Sequence, residues 1–99
     1  MVKHIVLVKL KETLSPAEKT DIMNRFKTAI EALPATISFI RDIHVGLNEN
    51  PAEVWDICLD SSFDTLDDVK AYAIHPAHVA AASILKEAKE NRACVDYTI

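Results

Sequence analysis

One segment, residues 71–79, carries the side chains best suited to acid–base chemistry. It places a phenol, Tyr72, and two imidazoles, His75 and His78, on either side of Pro76. A neutral imidazole with a pKa of about 6.5 accepts a proton at neutral pH, whereas a phenol with a pKa of about 10 stays protonated and donates a hydrogen bond. Tyr72 and His78 together therefore suit abstraction of a proton beside a carbonyl group, with Tyr72 holding the enolate oxygen.

A structural interpretation of the same residues stays open. Pro76 cannot continue a helix through its own nitrogen, so the spacing predicts that Tyr72 ends one helical segment and His78 opens the next. Tyr72 can then be an amphipathic core residue, His75 a helix cap and His78 a polar group at a helix start. The same bend can aim Tyr72 and His78 into one cavity, which a straight helix would not do.

The histidines and cysteines make a weak pattern for a metal site. His75 and His78 lie three residues apart across a proline, with His4 as a third candidate. No acidic or thiolate ligand stands at a supporting spacing. Cys58 and Cys94 also lack metal-ligand spacing, and we expect them to be reduced core residues. The histidine and cysteine pattern therefore predicts no metal site.

Length and composition restrict the class of protein. The chain has 99 residues and no compositional shift that would mark a linker, so we expect one domain over residues 1–99. A net charge of −4 without a basic stripe argues against binding to nucleic acid. The apolar run at residues 5–8 is far too short for a signal sequence or a membrane span, so we expect no membrane association and a cytoplasmic location.

Hydrophobic periodicity predicts the order strand, helix, strand, strand, broken helix, strand. The first helix has a strong start, because Ser15 and Glu18 form a capping box around Pro16. This order indicates an α+β fold, the ferredoxin-like split βαβ sandwich with a four-stranded antiparallel sheet. The predicted strands are residues 2–10, 37–45, 54–61 and 93–99, and the predicted helices are residues 16–33 and a second helix from residue 65 that breaks at 75–76 and continues to 88.

The first strand is apolar on both faces. His4, Val6 and Val8 share the face that we assign to the helices, whereas Ile5 and Leu7 point to the other. Right-handed crossovers place both helical layers on one face of the sheet, which leaves Ile5 and Leu7 uncovered. Since 49% of the chain is apolar, we expect a homodimer that packs sheet against sheet.

With these elements placed, the chain resembles the stress-responsive dimeric α/β-barrel (Dabb) family over essentially its whole length. The motifs that carry the resemblance are the opening Lys3-His4, Ala71-Tyr72 followed by His75-Pro76-Ala77-His78, and Val95-Asp96-Tyr97 at the end. The resemblance implies a ferredoxin-like homodimer whose two sheets form a central barrel with the helices outside.

The resemblance also implies site residues and the absence of an organic cofactor, by comparison with a cofactor-free polyketide cyclase of that family. Tyr72 and His78 match its catalytic pair, His4 a histidine of the same cavity, and Asp96 an acidic residue close to it; Asp96 is a plausible partner for either histidine. Where this chain has Met23 and Phe26, the cyclase has a phenylalanine and a tyrosine, so the pocket here should differ in shape. The positions that match its pocket walls are Val6, Val8, Ile22, Met23, Phe26 and Leu59.

Three functional classes follow from the sequence. The first is a barrel that binds a small hydrophobic or carbonyl ligand in a small apolar pocket. The second is a cofactor-independent cyclase or lyase in which His78 is the base and Tyr72 the hydrogen-bond donor, supported by His4 and Asp96. The third is a haem-binding or oxygen-activating barrel, by analogy of fold alone.

Overall fold

A four-stranded antiparallel sheet and three helices make up the chain. The computed structural model describes residues 1–99. The strands are β1 (Val2–Leu10), β2 (Asp42–Leu47), β3 (Ile57–Phe63) and β4 (Lys89–Thr98); the helices are α1 (Pro16–Glu31), α2 (Leu66–Ile74) and α3 (Pro76–Ala82), with short 3₁₀ turns at Leu33–Ala35 and Ser83–Leu85. The sheet order β2-β3-β1-β4 confirms the predicted ferredoxin-like topology.

Local capping explains where the helices begin. The Ser15 hydroxyl accepts a hydrogen bond from the backbone N–H of Glu18 at 3.1 Å, and the Ser15 backbone N–H donates to the Glu18 carboxylate at 2.9 Å. Both halves of the predicted capping box are therefore present, with Pro16 at the first helical position.

The predicted break between α2 and α3 is also present. His75 has an extended backbone (φ −64°, ψ 134°), as expected for a residue that precedes proline. Its Nδ1 accepts a hydrogen bond from the Ala77 backbone N–H at 3.0 Å. His75 therefore caps α3, and its side chain is committed to that role.

The predicted boundaries of four elements are wrong. The second strand begins at Asp42 and not at residue 37. Residues 37–41 form turns after the 3₁₀ segment, and the side chains of Ile37 and Ile40 are buried in the core. The third strand begins at Ile57, after Trp55, and runs on to Phe63. The fourth begins at Lys89 because it pairs with β1 from Leu10 onward. The second helical layer ends at Ala82, so the expected continuation to residue 88 is a 3₁₀ turn and a connection.

The two faces of the sheet differ in burial. On β1, the alternating residues His4, Val6, Val8 and Leu10 are buried beneath the helices, whereas Ile5 and Leu7 are only partly buried. Ile5 and Leu7 pair with β4 at Val95 and Ala93, and these four residues form what we call the outer sheet patch. None of the helices has the length and hydrophobicity that a membrane-spanning segment needs.

Candidate functional site

A cavity of about 120 Å³ lies between the buried face of the sheet and the helices. Its wall is mainly apolar, with the polar side chains of Tyr72, His4 and His78 and two cations among the lining residues. The residues that line it are His4, Val6, Val8, Leu59, Lys89 and Arg92 from the strands, and Phe26, Tyr72, Ala73, His78, Ala82 and Leu85 from the helical layer.

The helix break brings Tyr72 and His78 into contact. Tyr72 lies in the last turns of α2 and His78 in the first turn of α3, and their ring centroids are 4.3 Å apart with a 49° angle between the ring planes. The His4 ring lies 6.0 Å from the Tyr72 ring, on the opposite wall contributed by β1. The structure thus brings all three aromatic polar side chains to one cavity.

His78 is held in one tautomer by the backbone. Its Nδ1 lies 3.0 Å from the carbonyl oxygen of Ala73. A carbonyl only accepts hydrogen bonds, so Nδ1 must carry the hydrogen and the neutral ring has its lone pair on Nε2. Burial lowers the pKa of His78, and the bond to Ala73 only partly offsets this effect. The imidazole is therefore a neutral base at neutral pH.

Tyr72 is the least satisfied polar side chain of the core. It is 1% exposed, and its hydroxyl is buried without any hydrogen-bond partner. Burial raises the pKa of Tyr72 far above its usual range, so the phenol keeps its proton. A buried hydroxyl without a partner costs about 1–3 kcal/mol, a cost that an acceptor in the cavity would remove.

His4 and Asp96 form a hydrogen-bonded pair across β1 and β4. His4 Nδ1 lies 2.5 Å from the Asp96 carboxylate, so Asp96 partners His4 and not His78. His4 is buried, and the carboxylate fixes its ring orientation.

A third polar group, the Cys94 thiol, lies beside this pair, with Sγ 3.6 Å from His4 Nδ1. Cys94 is exposed, which corrects the expectation of a core cysteine; it shares the face of the sheet with His4, but it lies on the edge strand β4. The ligand atoms of His4, Cys94 and Asp96 lie within 4.8 Å of one another, and N, S and O donors of this kind suit Zn²⁺. A metal there would have to replace the proton that joins His4 to Asp96. His75, which the sequence offered as a ligand, is used as the cap of α3.

The apolar wall matches the sequence-based positions only in part. Val6, Val8, Phe26 and Leu59 line the cavity, whereas Ile22 and Met23 do not. Ile22 and Met23 lie one turn before Phe26 on α1 and pack, partly buried, against the core.

Two cavity cations were absent from the sequence-based site. Lys89 and Arg92 lie on β4 and reach the cavity wall, together with Ala73, Ala82 and Leu85 from the helical layer. No local pattern marks Lys89 or Arg92, because their placement depends on the pairing register of β4 with β1.

The family model for the Stress responsive A/B Barrel Domain (Dabb) matches residues 2–99. The chain belongs to the Dabb family. Among curated proteins, this Dabb chain is 25% identical to olivetolic acid cyclase from Cannabis sativa, over 98% of the chain and 95% of the relative.

Solved structures agree with the fold. A dimeric protein of unknown function with a ferredoxin-like fold from Bacteroides fragilis is 64% identical, with a TM-score of 0.98 over 99% of this Dabb chain and 95% of the other. A dimeric ferredoxin-like protein of unknown function from Thermobifida fusca is 27% identical, with a TM-score of 0.83 over 99% and 90% of the two chains.

Proposed function

We propose that the cavity binds a small, mainly apolar carbonyl compound whose oxygen accepts a hydrogen bond from Tyr72. The observation that carries this proposal is the buried Tyr72 hydroxyl, which has no partner in the protein although its side chain lines a cavity. A ligand carbonyl, in place of water, would satisfy that donor while the apolar wall receives the hydrocarbon part.

The size of the cavity limits the ligand. About 120 Å³ is well below the roughly 300–1,000 Å³ of pockets that hold drug-sized molecules. A ketone or aldehyde of a few heavy atoms therefore fits better than a large polycyclic product. For the same reason, no feature of the cavity favours the haem-binding alternative.

Thermal unfolding with a panel of small ketones tests this function. A ligand that binds only the native state stabilises it by RT ln(1 + [L]/Kd), so the melting temperature should rise with ketone concentration. Matched alkenes, in which a methylene group replaces the carbonyl oxygen, serve as controls. Equal effects of ketones and alkenes, or no effect of either, would contradict a carbonyl site.

A second function, proton abstraction beside the bound carbonyl, is favoured by the orientation of His78. The carbon–hydrogen bond breaks, the proton goes to Nε2, and the electron pair moves into the carbonyl to give an enolate oxygen held by Tyr72. The bond from Nδ1 to Ala73 leaves Nε2 as the acceptor, and the lowered pKa keeps it unprotonated. The relative named as a cyclase supports this second function.

Deuterium exchange measures this step without knowledge of the physiological substrate. The protein should accelerate incorporation of deuterium from D₂O at the α-carbons of cyclohexanone, observed by NMR. His78→Gln should abolish the acceleration, and His44→Gln, which changes an exposed histidine on β2, should retain it. Acceleration that survives in His78→Gln would exclude His78 as the base.

We also infer that two copies assemble through the outer sheet patch. Ile5 and Leu7 form a wholly apolar shallow pocket with residues of β4, and Val95 and Tyr97 are 54% and 46% exposed in the single chain. Exposed apolar surface of this kind is typical of an interface. The related structures from Bacteroides fragilis and Thermobifida fusca are described as dimeric, which supports the same assembly here.

A further inference from the structure

The cavity wall includes two cationic side chains that have no role in the proposed carbonyl binding. Lys89 and Arg92 both lie on β4 and line the cavity with Tyr72 and His78. This is notable in a chain whose net charge is −4. Both cations lie on the helix-facing side of β4, since Arg92 pairs with the buried Val8 and, after a shift in register, Lys89 pairs with the buried Leu10.

Neither cation has a carboxylate partner within the protein. The two acidic residues of β4 are already paired elsewhere: Glu90 bonds Lys9, and Asp96 bonds His4. The other ion pairs join residues outside the cavity and include neither Lys89 nor Arg92. Surface lysines are often unpaired, but two unpaired cations at one small cavity concentrate positive potential where a ligand would enter.

The field of Arg92 reaches the polar groups of the site. The Arg92 charge opposes protonation of His78 and favours ionisation of Tyr72, in both cases as a minor contribution beside burial, and so lowers the pKa of each. His4 and His75 also oppose protonation of His78. Because Arg92 also lines the same cavity as Tyr72 and His78, it is placed to contact the far end of a small molecule bound there.

We propose that Lys89 and Arg92 form an anion subsite, so that the ligand of this cavity is a small keto carboxylate. The ketone oxygen lies at Tyr72 and the carboxylate at the guanidinium of Arg92, with Lys89 adding charge at the entrance. A planar guanidinium binds a carboxylate through two parallel hydrogen bonds, which fixes the orientation of the ligand as well as its affinity. The inference rests on the proposed carbonyl-binding function and specifies its ligand class.

Two probes of similar size test the subsite. Levulinate carries a ketone and a carboxylate, and acetonylacetone is the neutral analogue in which an acetyl group replaces the carboxylate. Titration followed by NMR should show levulinate binding about tenfold more tightly at low salt, a preference that salt screening reduces. The double variant Arg92→Met with Lys89→Met should bind both probes equally. Lys70→Met removes an unpaired charge on α2, away from the cavity lining, and should keep the preference.

The outcomes separate this inference from the function on which it rests. Equal affinity for both probes in the unaltered protein, or a preference that survives in the double variant, overturns the anion subsite while ketone binding stands. A preference for levulinate that depends on Arg92, together with affinities for both probes that Tyr72→Phe leaves unchanged, supports the subsite and contradicts the carbonyl contact. Binding of neither probe overturns both. Circular dichroism of the double variant checks its fold; since both side chains are exposed on an edge strand, we expect no change.

Discussion

Tyr72 differs from an ordinary core tyrosine because its hydroxyl is buried and has no hydrogen-bond partner. Most buried polar atoms in proteins are paired, and an exception needs a physical reason. Here the side chain lines a cavity beside an imidazole, His78. Under the proposed function, a ligand oxygen supplies the partner that the hydroxyl lacks in the free protein.

Tyr72→Phe should therefore leave the protein at least as stable as before. Removing a buried hydroxyl that has no partner should keep the free energy of unfolding unchanged or raise it by up to about 1 kcal/mol. Tyr97→Phe makes the same chemical change at an exposed position and is the control. Urea denaturation measures both. A loss of more than about 1 kcal/mol in Tyr72→Phe would mean that the hydroxyl makes a hydrogen bond in the free protein.

His78 should make the folded state sensitive to acid. Its pKa is lowered in the folded protein by burial, so the unfolded chain binds more protons below the unperturbed value of about 6.5. The free energy of unfolding is therefore unaffected by His78 protonation well above a pH of about 6.5. It declines as the pH falls from about 6.5 toward the lowered pKa of His78 in the folded protein.

Comparison of His78→Gln with His44→Gln isolates this effect, since His4, His75 and Arg92 around His78 remain in both variants. The unfolding free energy of His78→Gln should decline less between neutral and mildly acidic pH than that of the unaltered protein. His44→Gln should follow the unaltered protein. Identical pH profiles for all three proteins would show that His78 is not buried as described.

The residues of the site were predictable to different degrees. The proximity of Tyr72 and His78 follows from a local signal, because proline fixes where one helix ends and the next begins. The pairing of Asp96 with His4 and the placement of Arg92 depend on the register between β1 and β4, which lie at opposite ends of the chain. No local sequence signal specifies such a register. From sequence alone, Asp96 could therefore be paired with either His4 or His78.

At the scale of elements, the bend between α2 and α3 positions the site. His75 caps α3, and Pro76 prevents one continuous helix, so Tyr72 and His78 approach across the bend. A continuous helix would place residues 72 and 78 on different faces, since six residues correspond to about 1.7 turns.

Pro76→Ala should weaken ligand binding more than it weakens the fold. Loss of the restricted proline backbone should cost about 0.4–1 kcal/mol of unfolding free energy. Relaxation of the bend should reduce affinity for ketones by about tenfold, which calorimetry can measure. Pro16→Ala, at the start of α1 far from the bend, is a matched control and should affect stability alone. Unchanged affinity in Pro76→Ala would show that the bend does not depend on proline.

Element boundaries were predictable where the cause is local. The start of α1 follows from the capping box and the bend from proline, and the structure confirms both. Residues 37–41 alternate in the manner of a strand, yet they form turns because Ile37 and Ile40 fill the core at the end of the 3₁₀ segment. Tertiary packing here overrides a short periodic pattern.

At the scale of the whole molecule, one sheet face is covered by helices and the other is not. The outer sheet patch contains Ile5 and Leu7 on the central strand β1, with Ala93 and Val95 on β4. The alternation of β1 predicted this arrangement from sequence, because a strand with apolar residues on both faces needs cover on both.

Leu7→Asp should break the proposed homodimer. A carboxylate at the centre of an apolar interface would be desolvated without a partner, so the protein should elute as a monomer or unfold. Ile74→Asp makes a comparable change at a residue of α2 that is 80% exposed, outside the sheet, and should keep the assembly. Multi-angle light scattering gives the mass. A Leu7→Asp protein that keeps twice the chain mass would contradict assembly through this face.

The affinity of cyclohexanone compared with methylenecyclohexane, in the unaltered protein and in Tyr72→Phe, tests the carbonyl site most directly. The two molecules have nearly the same shape, and only the ketone accepts a hydrogen bond. The unaltered protein should prefer the ketone by about tenfold, and Tyr72→Phe should lose that preference. Equal affinities in the unaltered protein, or a preference that Tyr72→Phe retains, would contradict the assignment of Tyr72 as the carbonyl contact.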